Sequence, residues 1–140
     1  MMDTPKQVLV RARNANLWID QIRTELAQLE QELQTLKSVD YSRPVVKSSS
    51  GRGDVETTAV RIAERHRQLE KDLEKQLESR YLAMELISTL TAARDRVILF
   101  HRYILAEEWP DVAKAAHYER RYCIKLSNEA IKKLTLENTG

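Results

Sequence analysis

The predicted architecture rests on residues 109–134, WPDVAKAAHYERRYCIKLSNEAIKKL, which contain two helical patterns separated by a tight turn. The first pattern is short, and His117-Tyr118 fills the turn that follows it. Over 119–134 the apolar residues recur at helical spacing and therefore share one face: Cys123, Leu126, Ala130 and Leu134. A short helix, a turn and a longer helix with one apolar face are typical of a helix-turn-helix, whose second helix lies in the DNA major groove.

The opposite face of the longer helix carries positive charge and one side-chain amide. With about 100° between successive residues, that face consists of Arg121, Lys125, Asn128 and Lys132. Arginine can donate to O6 and N7 of guanine together, and asparagine can read adenine. We therefore predict that Arg121 is the central base reader, next to Lys125 and Asn128. Arg120 and Lys132 are predicted to hold phosphates.

The spacing counted from Trp109 agrees with this motif at four of five positions. The four matches are Ala113, Tyr118, Cys123 and Leu126. The fifth position is His117, where such a turn usually has glycine because the backbone needs a positive φ. Histidine tolerates the left-handed region better than most residues, at some strain. The alternative is an ordinary helical hairpin inside a bundle, with its lysines on a solvated face.

Composition favours an all-α protein with long amphipathic helices, because the chain of 140 residues has only 3 Gly and 3 Pro while 31% of it is charged. The net charge is +2, from 23 Lys+Arg and 21 Asp+Glu, so the global charge does not indicate a nucleic-acid partner. The local balance over 119–134 is more informative: five cations stand against two anions.

The location of the protein is predicted from three features. The single Cys123 excludes an intrachain disulfide and suits a reducing compartment. No apolar run is long enough to cross a bilayer, and no signal peptide opens the chain. We therefore expect a cytoplasmic protein with no membrane association.

The first part of the chain has the pattern of a coiled coil. Apolar residues alternate at spacings of three and four along the first helix: Ala15, Ile19, Ile22, Leu26, Leu29, Leu33 and Leu36. Trp18 lies beside this seam and is predicted to pack. Residues 38–53 then break the pattern with Pro44, three serines and Gly-Arg-Gly. This stretch is long for a connection inside a bundle, and we interpret it as a flexible loop.

A second long helix is predicted to begin at Asp54, which is a good N-cap. Its seam runs through Val55, Ala59, Ile62, His66, Leu69 and Leu73. The register is predicted to slip by one residue afterwards, through Leu77, Tyr81, Met84 and Ile87. We interpret His66 as a core histidine bonded to a neighbour rather than a metal ligand or pH sensor. The two helices would form an antiparallel coiled-coil hairpin, and their remaining apolar surface indicates a homo-oligomer.

The chain is therefore predicted to divide into a coiled-coil region at 1–90 and a helix-turn-helix DNA-binding domain at 91–140. Thr91 marks the boundary as a candidate N-cap. The helix after it, ARDRVILFHRYIL at 93–105, is apolar on more than one side, which indicates burial on several sides. Ile124 and Ile131 form a second apolar stripe on the last helix, which would pack on the long helices or meet a partner.

Four motifs carry a resemblance to a known family: RYIL at 102–105, EWPDVA at 108–113, YERR at 118–121 and EAIKKL at 129–134. Together they resemble the C-terminal promoter-reading domain of sigma-70-type factors, region 4. The chain looks most similar to small phage and prophage regulators of Gram-positive bacteria, the ArpU-like proteins, as does SSSGRGD at 48–54. The resemblance implies binding to double-stranded DNA in the bacterial cytoplasm, with contact to RNA polymerase in some members. It places the base-reading residues on Arg120, Arg121 and Lys125.

Catalysis is not expected from this sequence. The three histidines, His66, His101 and His117, are far apart and lack other ligands at metal spacing, and no glycine loop would cradle a phosphate. We therefore predict no enzyme activity, no cofactor and no metal. Two other classes stay open beside the regulator. One is the DNA-recognition subunit of a phage packaging terminase, and the other is a structural coiled-coil protein without DNA binding.

Overall fold

The computed structural model describes residues 3–38 and 51–138, and every regular element within these ranges is helical. The elements are α1 (Pro5–Lys37), α2 (Gly51–Ser88), α3 (Ala93–Leu99), a π-helical segment (Phe100–Ile104), α4 (Trp109–Ala116) and α5 (Arg120–Asn138). The predicted all-α class is confirmed, as is a long helix at the beginning of the chain. Residues 39–50, which make up most of the loop predicted at 38–53, lie outside the described residues.

Two predicted helix starts need correction. Helix α2 begins at Gly51, so Asp54 lies in its first turn instead of capping it. An acidic residue in that turn still interacts favourably with the positive end of the helix dipole. Thr91 does not cap α3, because the residue in the N-cap position is Ala92, whose side chain makes no capping hydrogen bond.

The chain divides into two compact units, each of which takes residues from both long helices. Unit 1 consists of Met1–Ile19 and Lys75–Gly140, and unit 2 consists of Asp20–Glu74. The predicted division at 90/91 falls inside unit 1. The division into a coiled-coil region at 1–90 and a DNA-binding domain at 91–140 therefore stays a prediction. Its boundary differs from the boundaries of the two compact units.

Unit 2 consists of one segment of α1 and one of α2. Its buried apolar side chains are Ile22, Ile62 and Leu69. The predicted leucines of α1 at 26, 29, 33 and 36 are half-buried. Ion pairs join the two segments, with Arg65 Nη2 3.6 Å from Glu25 Oε1 and His66 Nε2 3.1 Å from Glu30 Oε1.

The larger core of unit 1 is built from residues that are far apart in the sequence. Its buried members are Leu9, Ala12, Ala83, Ile87, Leu90, Leu99, Tyr103, Ile104, Ala130, Ile131 and Leu134. Helix α5 thus packs in one cluster with the beginning of α1 and the end of α2. Of the two predicted outcomes for Ile131, packing on the long helices is the one found, and Ile124 is half-buried.

The register slip predicted in α2 is wrong. The buried and half-buried positions continue the spacings of three and four without a break, through Gln76, Arg80, Ala83 and Ile87. The apolar residues that suggested the slip, Leu77, Tyr81 and Met84, are exposed. Polar side chains occupy two seam positions, and the aliphatic stem of arginine can cover apolar surface while its charged end stays hydrated. Trp18 also differs from its prediction, because 60% of it is exposed.

Candidate nucleic-acid interface

Helices α3, α4 and α5 share a second, smaller core in unit 1. Its buried side chains are Ile98, Val112, Cys123 and Leu126, and Trp109, Ala113 and Ala116 pack against them half-buried. The whole predicted apolar face of α5 is buried, since Ala130 and Leu134 belong to the larger core. Two clusters therefore hold one side of α5, which fixes the direction in which its other side points.

The turn between α4 and α5 has the positive φ that the sequence pattern requires. His117 adopts φ 61° and ψ 36°, in the left-handed region, and its backbone N–H donates to the carbonyl oxygen of Ala113. The backbone N–H of Tyr118 donates to the same oxygen over 3.2 Å. Histidine thus takes the conformation that glycine would adopt without steric strain. The turn closes as predicted although it lacks glycine.

All five predicted contact residues of α5 are exposed: Arg120, Arg121, Lys125, Asn128 and Lys132. The four cations among them form no ion pair with any other side chain in the described part of the chain. Arg121, Lys125, Asn128 and Lys132 lie on the side opposite the buried face, and Arg120 lies at its edge near the start of the helix. The structure therefore brings the predicted residues together on one accessible surface.

Lys133 differs from the four exposed cations of α5 named above, because it forms an ion pair within the chain. Lys133 Nζ lies 3.2 Å from Oδ2 of Asp95, whose side chain is buried in α3. Arg94 Nε lies 3.9 Å from the other carboxylate oxygen of Asp95. Lys133 therefore links α5 to α3, and the local surplus of positive charge that faces solvent is smaller than the sequence suggests.

An aromatic and cationic group beside the start of α5 was not predicted. The rings of Tyr118 and Tyr122 meet edge to face, with centroids 5.2 Å apart. A side-chain hydrogen bond with Tyr118, followed by the proximity of Tyr122, raises the pKa of Arg94. Arg94 is exposed and comes from α3, so a second helix adds a cation to this end of the surface. No local sequence pattern could have identified it, because it is more than twenty residues from both tyrosines.

The entry to α4 is held by α1, through an arginine that sequence reasoning also missed. Arg13 Nη1 donates to the carbonyl oxygens of Arg102 and Glu107 over 2.7 and 3.0 Å. Its Nη2 lies 3.1 Å from Oε1 of Glu108, the N-cap of α4. The Arg102 guanidinium stacks 4.5 Å from the centre of the Trp109 ring. Burial and the positive charge of Arg13 lower the pKa of Arg102.

The described residues give little support to other kinds of site. Among them, no three His, Cys, Asp or Glu side chains are grouped so that they could hold a metal ion. Burial raises the pKa of the Cys123 thiol, which disfavours the nucleophilic thiolate. None of the described helices combines the length and apolar character that crossing a bilayer requires. No protein-family model matches the chain, and no curated protein or solved structure is significantly similar to it.

Proposed function

We propose that this chain is a phage or prophage DNA-binding transcription regulator that acts in the cytoplasm of a bacterial host. In this proposal α4, the turn at His117 and α5 form a helix-turn-helix, and residues 119–134 lie in the major groove. Helices α1 and α2 form an antiparallel coiled-coil hairpin, and contact with RNA polymerase belongs to the same proposal. It is supported above all by one observation: between residues 120 and 135, α5 buries one face, while the cations on its other face form no ion pair with any described side chain.

The two faces of α5 have different physical roles. The buried face, in contact with two apolar clusters, fixes the backbone of the helix, so that the entropy lost on binding a ligand is mainly that of the exposed side chains. Within the described ranges, the exposed cations Arg120, Arg121, Lys125 and Lys132 have no ion pairs to give up, and each phosphate they neutralise releases condensed counterions from DNA. Arg120 and Lys132 are proposed to make such phosphate contacts, which set the position of the helix on the duplex.

Sequence preference is proposed to come from three residues on the same face. Arg121 is the central reader, because its guanidinium can donate to O6 and N7 of one guanine. Lys125 and Asn128 follow along the same side of the helix, one turn and two turns further on, and asparagine can pair with N6 and N7 of adenine. A bidentate contact of this kind contributes about 1–3 kcal/mol of discrimination between bases.

The proposal is tested in two steps. Fragments of host and phage genomes that the full chain retains are first selected and sequenced, and their affinity is then measured across a salt series. Wild-type affinity should fall linearly on a double-logarithmic plot as salt rises. Arg121→Ala should weaken binding to the selected site by about 1–3 kcal/mol and relax its sequence preference.

The control is Arg61→Ala, which removes an exposed cation of α2 that belongs to unit 2, whereas α5 belongs to unit 1. It should leave affinity and preference unchanged. Equal affinity and unchanged preference for Arg121→Ala would refute the proposed docking. If the wild-type chain retained no DNA at low salt, the DNA-binding function itself would be refuted in favour of a structural coiled-coil protein.

A further inference from the structure

Helix α2 carries a second apolar stripe next to its buried seam. Leu77, Tyr81 and Met84 are 37%, 58% and 41% exposed, although they follow one another at spacings of four and three. This is the spacing of core positions in a two-helix contact. Single exposed apolar residues are ordinary, but three that line up on one helix form a patch of the kind that marks an interaction site.

A positively charged side chain borders this stripe on one side, and a negatively charged side chain borders it on the other. With Leu77 and Met84 in d positions and Tyr81 in the a position, Arg80 is a g residue and Glu85 is an e residue. In a parallel pair of helices, a g residue of one chain faces the e residue five positions further on in the other chain. Arg80 of one copy would then face Glu85 of a second copy, and the same contact would occur again across the two-fold axis.

Arg80 is half-buried beside the stripe, and its guanidinium forms no ion pair with another described side chain. It therefore has no partner among the described residues that it would have to release in order to meet a carboxylate of a second copy. Glu85 is exposed and therefore accessible to a second copy. Its carboxylate interacts with the Tyr81 hydroxyl, whose pKa it raises, and it retains further acceptor positions for a guanidinium.

We propose that α2 residues 77–85 form a parallel homodimer interface, in which Leu77, Tyr81 and Met84 pack against their own copies and Arg80 pairs with Glu85 of the second copy. An antiparallel pair is disfavoured, because it would place Arg80 beside its own copy. Met84 also lines a groove of 340 Å³ together with Val97 and Phe100, which extends the apolar surface toward α3. The inference does not depend on DNA binding, and a C2 contact of this kind is the commonest form of self-association.

The first test is the oligomeric state of the full chain, measured by sedimentation equilibrium over a concentration series. The wild type should be a dimer that dissociates on dilution, and Leu77→Glu should raise its dissociation constant about tenfold or more. The matched control is Leu82→Glu, which places the same charge at an exposed leucine of α2 that lies off the stripe. Circular dichroism establishes that each variant keeps the helical content of the wild type.

The orientation is tested by exchanging the two charges. Arg80→Glu and Glu85→Arg should each weaken the dimer, and the double variant should recover most of the wild-type affinity. Leu77→Cys should form a disulfide with its own copy under mild oxidation, because only a parallel pair brings the two copies of this position together. The native Cys123 is buried and gives the background in the wild type.

Three results would overturn the proposal. The first is a wild-type chain that stays monomeric at every concentration. The second is a dimer that Leu77→Glu does not weaken more than Leu82→Glu does. The third is a double charge variant that associates no better than the single variants, which would exclude the parallel register.

Discussion

Lys133 Nζ lies 3.2 Å from Oδ2 of Asp95, and this contact joins α5 to a carboxylate of α3 that is only 2% exposed. A buried carboxylate without a cation is strongly unfavourable, whereas a half-exposed lysine can be hydrated. The contact therefore offsets a larger desolvation penalty at Asp95 than at Lys133. It also separates Lys133 from Lys132, its neighbour in the sequence, which is exposed and has no ion pair among the described residues.

The first prediction concerns these two lysines. Lys132→Ala should weaken DNA binding about equally for all sequences, because one phosphate contact is lost. It should also reduce the salt slope, which is the slope of log affinity against log salt concentration, by about 1. Lys133→Ala should lower the thermal midpoint of unfolding while changing the salt slope much less. Binding isotherms at several salt concentrations and thermal unfolding of both variants measure this difference. The same loss of salt slope in both variants would show that Lys133 also contacts phosphate.

The second prediction concerns Asp95 itself. Asp95→Ala should lower the free energy of unfolding by about 1.5–3 kcal/mol, the range for hydrogen bonds to charged groups. Chemical denaturation measures the change, and Asp20→Ala, at an exposed position of α1, is the control. The variant should also weaken the attachment of α5 to α3. A free energy of unfolding equal to that of the control would mean that the buried pair contributes no net stability.

The third prediction concerns the two non-glycine residues with positive φ, His117 at 61° and Ala106 at 56°. Glycine removes the clash between Cβ and the backbone, which is about 1–2 kcal/mol for an L-residue, but it also gives the unfolded chain more freedom. His117→Gly and Ala106→Gly should therefore each raise the free energy of unfolding by up to about 1 kcal/mol. His117→Val should lower it, because β-branched residues are strained most by this conformation. Thermal unfolding of the three variants measures these changes, and a destabilised His117→Gly would contradict the left-handed turn.

The fourth prediction is that the free energy of unfolding depends on pH through His66, which lies in unit 2. A hydrogen bond to the carboxylate of Glu30, together with one to that of Glu70, raises the pKa of His66 above its ordinary value. The protonated histidine thus contributes stability that is fully present below the unfolded-state pKa of about 6.5 and is lost as the pH rises through the folded-state pKa. The predicted bond to a neighbour is confirmed, but His66 is half-buried and not a core residue, and its contact with Glu70, one turn further on, was not predicted.

His66→Gln should remove this part of the pH dependence and leave the rest of the stability profile unchanged. Unfolding by denaturant at a series of pH values from acidic to mildly alkaline measures the effect. Glu30→Gln should lower the pKa of His66 toward its ordinary value, which an NMR titration of the imidazole follows. A wild-type profile that rises over the same pH interval would contradict the sign of the linkage.

The two faces of α5 and the turn before it could be predicted from the sequence, because a helix with one apolar and one cationic side has a local pattern. The contacts that hold this unit in place could not. Arg13 with Glu107, and Asp95 with Lys133, are separated by 94 and 38 residues and leave no periodic trace. In α2 the apolar pattern itself was misleading, since Gln76 and Arg80 occupy the seam while an apolar stripe faces outward. Hydropathy marks a residue that can be buried, but packing determines which face of the helix is covered.

The fifth prediction concerns a buried hydroxyl in the middle of α5. Ser127 is 1% exposed, and its Oγ has no hydrogen-bond partner among the described residues. A buried polar group without a partner retains a desolvation penalty of about 1–3 kcal/mol, and alanine is also the better helix former. Ser127→Ala should therefore leave the free energy of unfolding unchanged or raise it, although most substitutions of buried residues lower it.

Because Asn128 is adjacent but exposed, Asn128→Ala serves as the control: it should affect DNA binding and not stability. Loss of stability in Ser127→Ala would mean that the hydroxyl donates to a backbone carbonyl of α5, and loss of DNA affinity alone would mean that this side of the helix reaches the duplex.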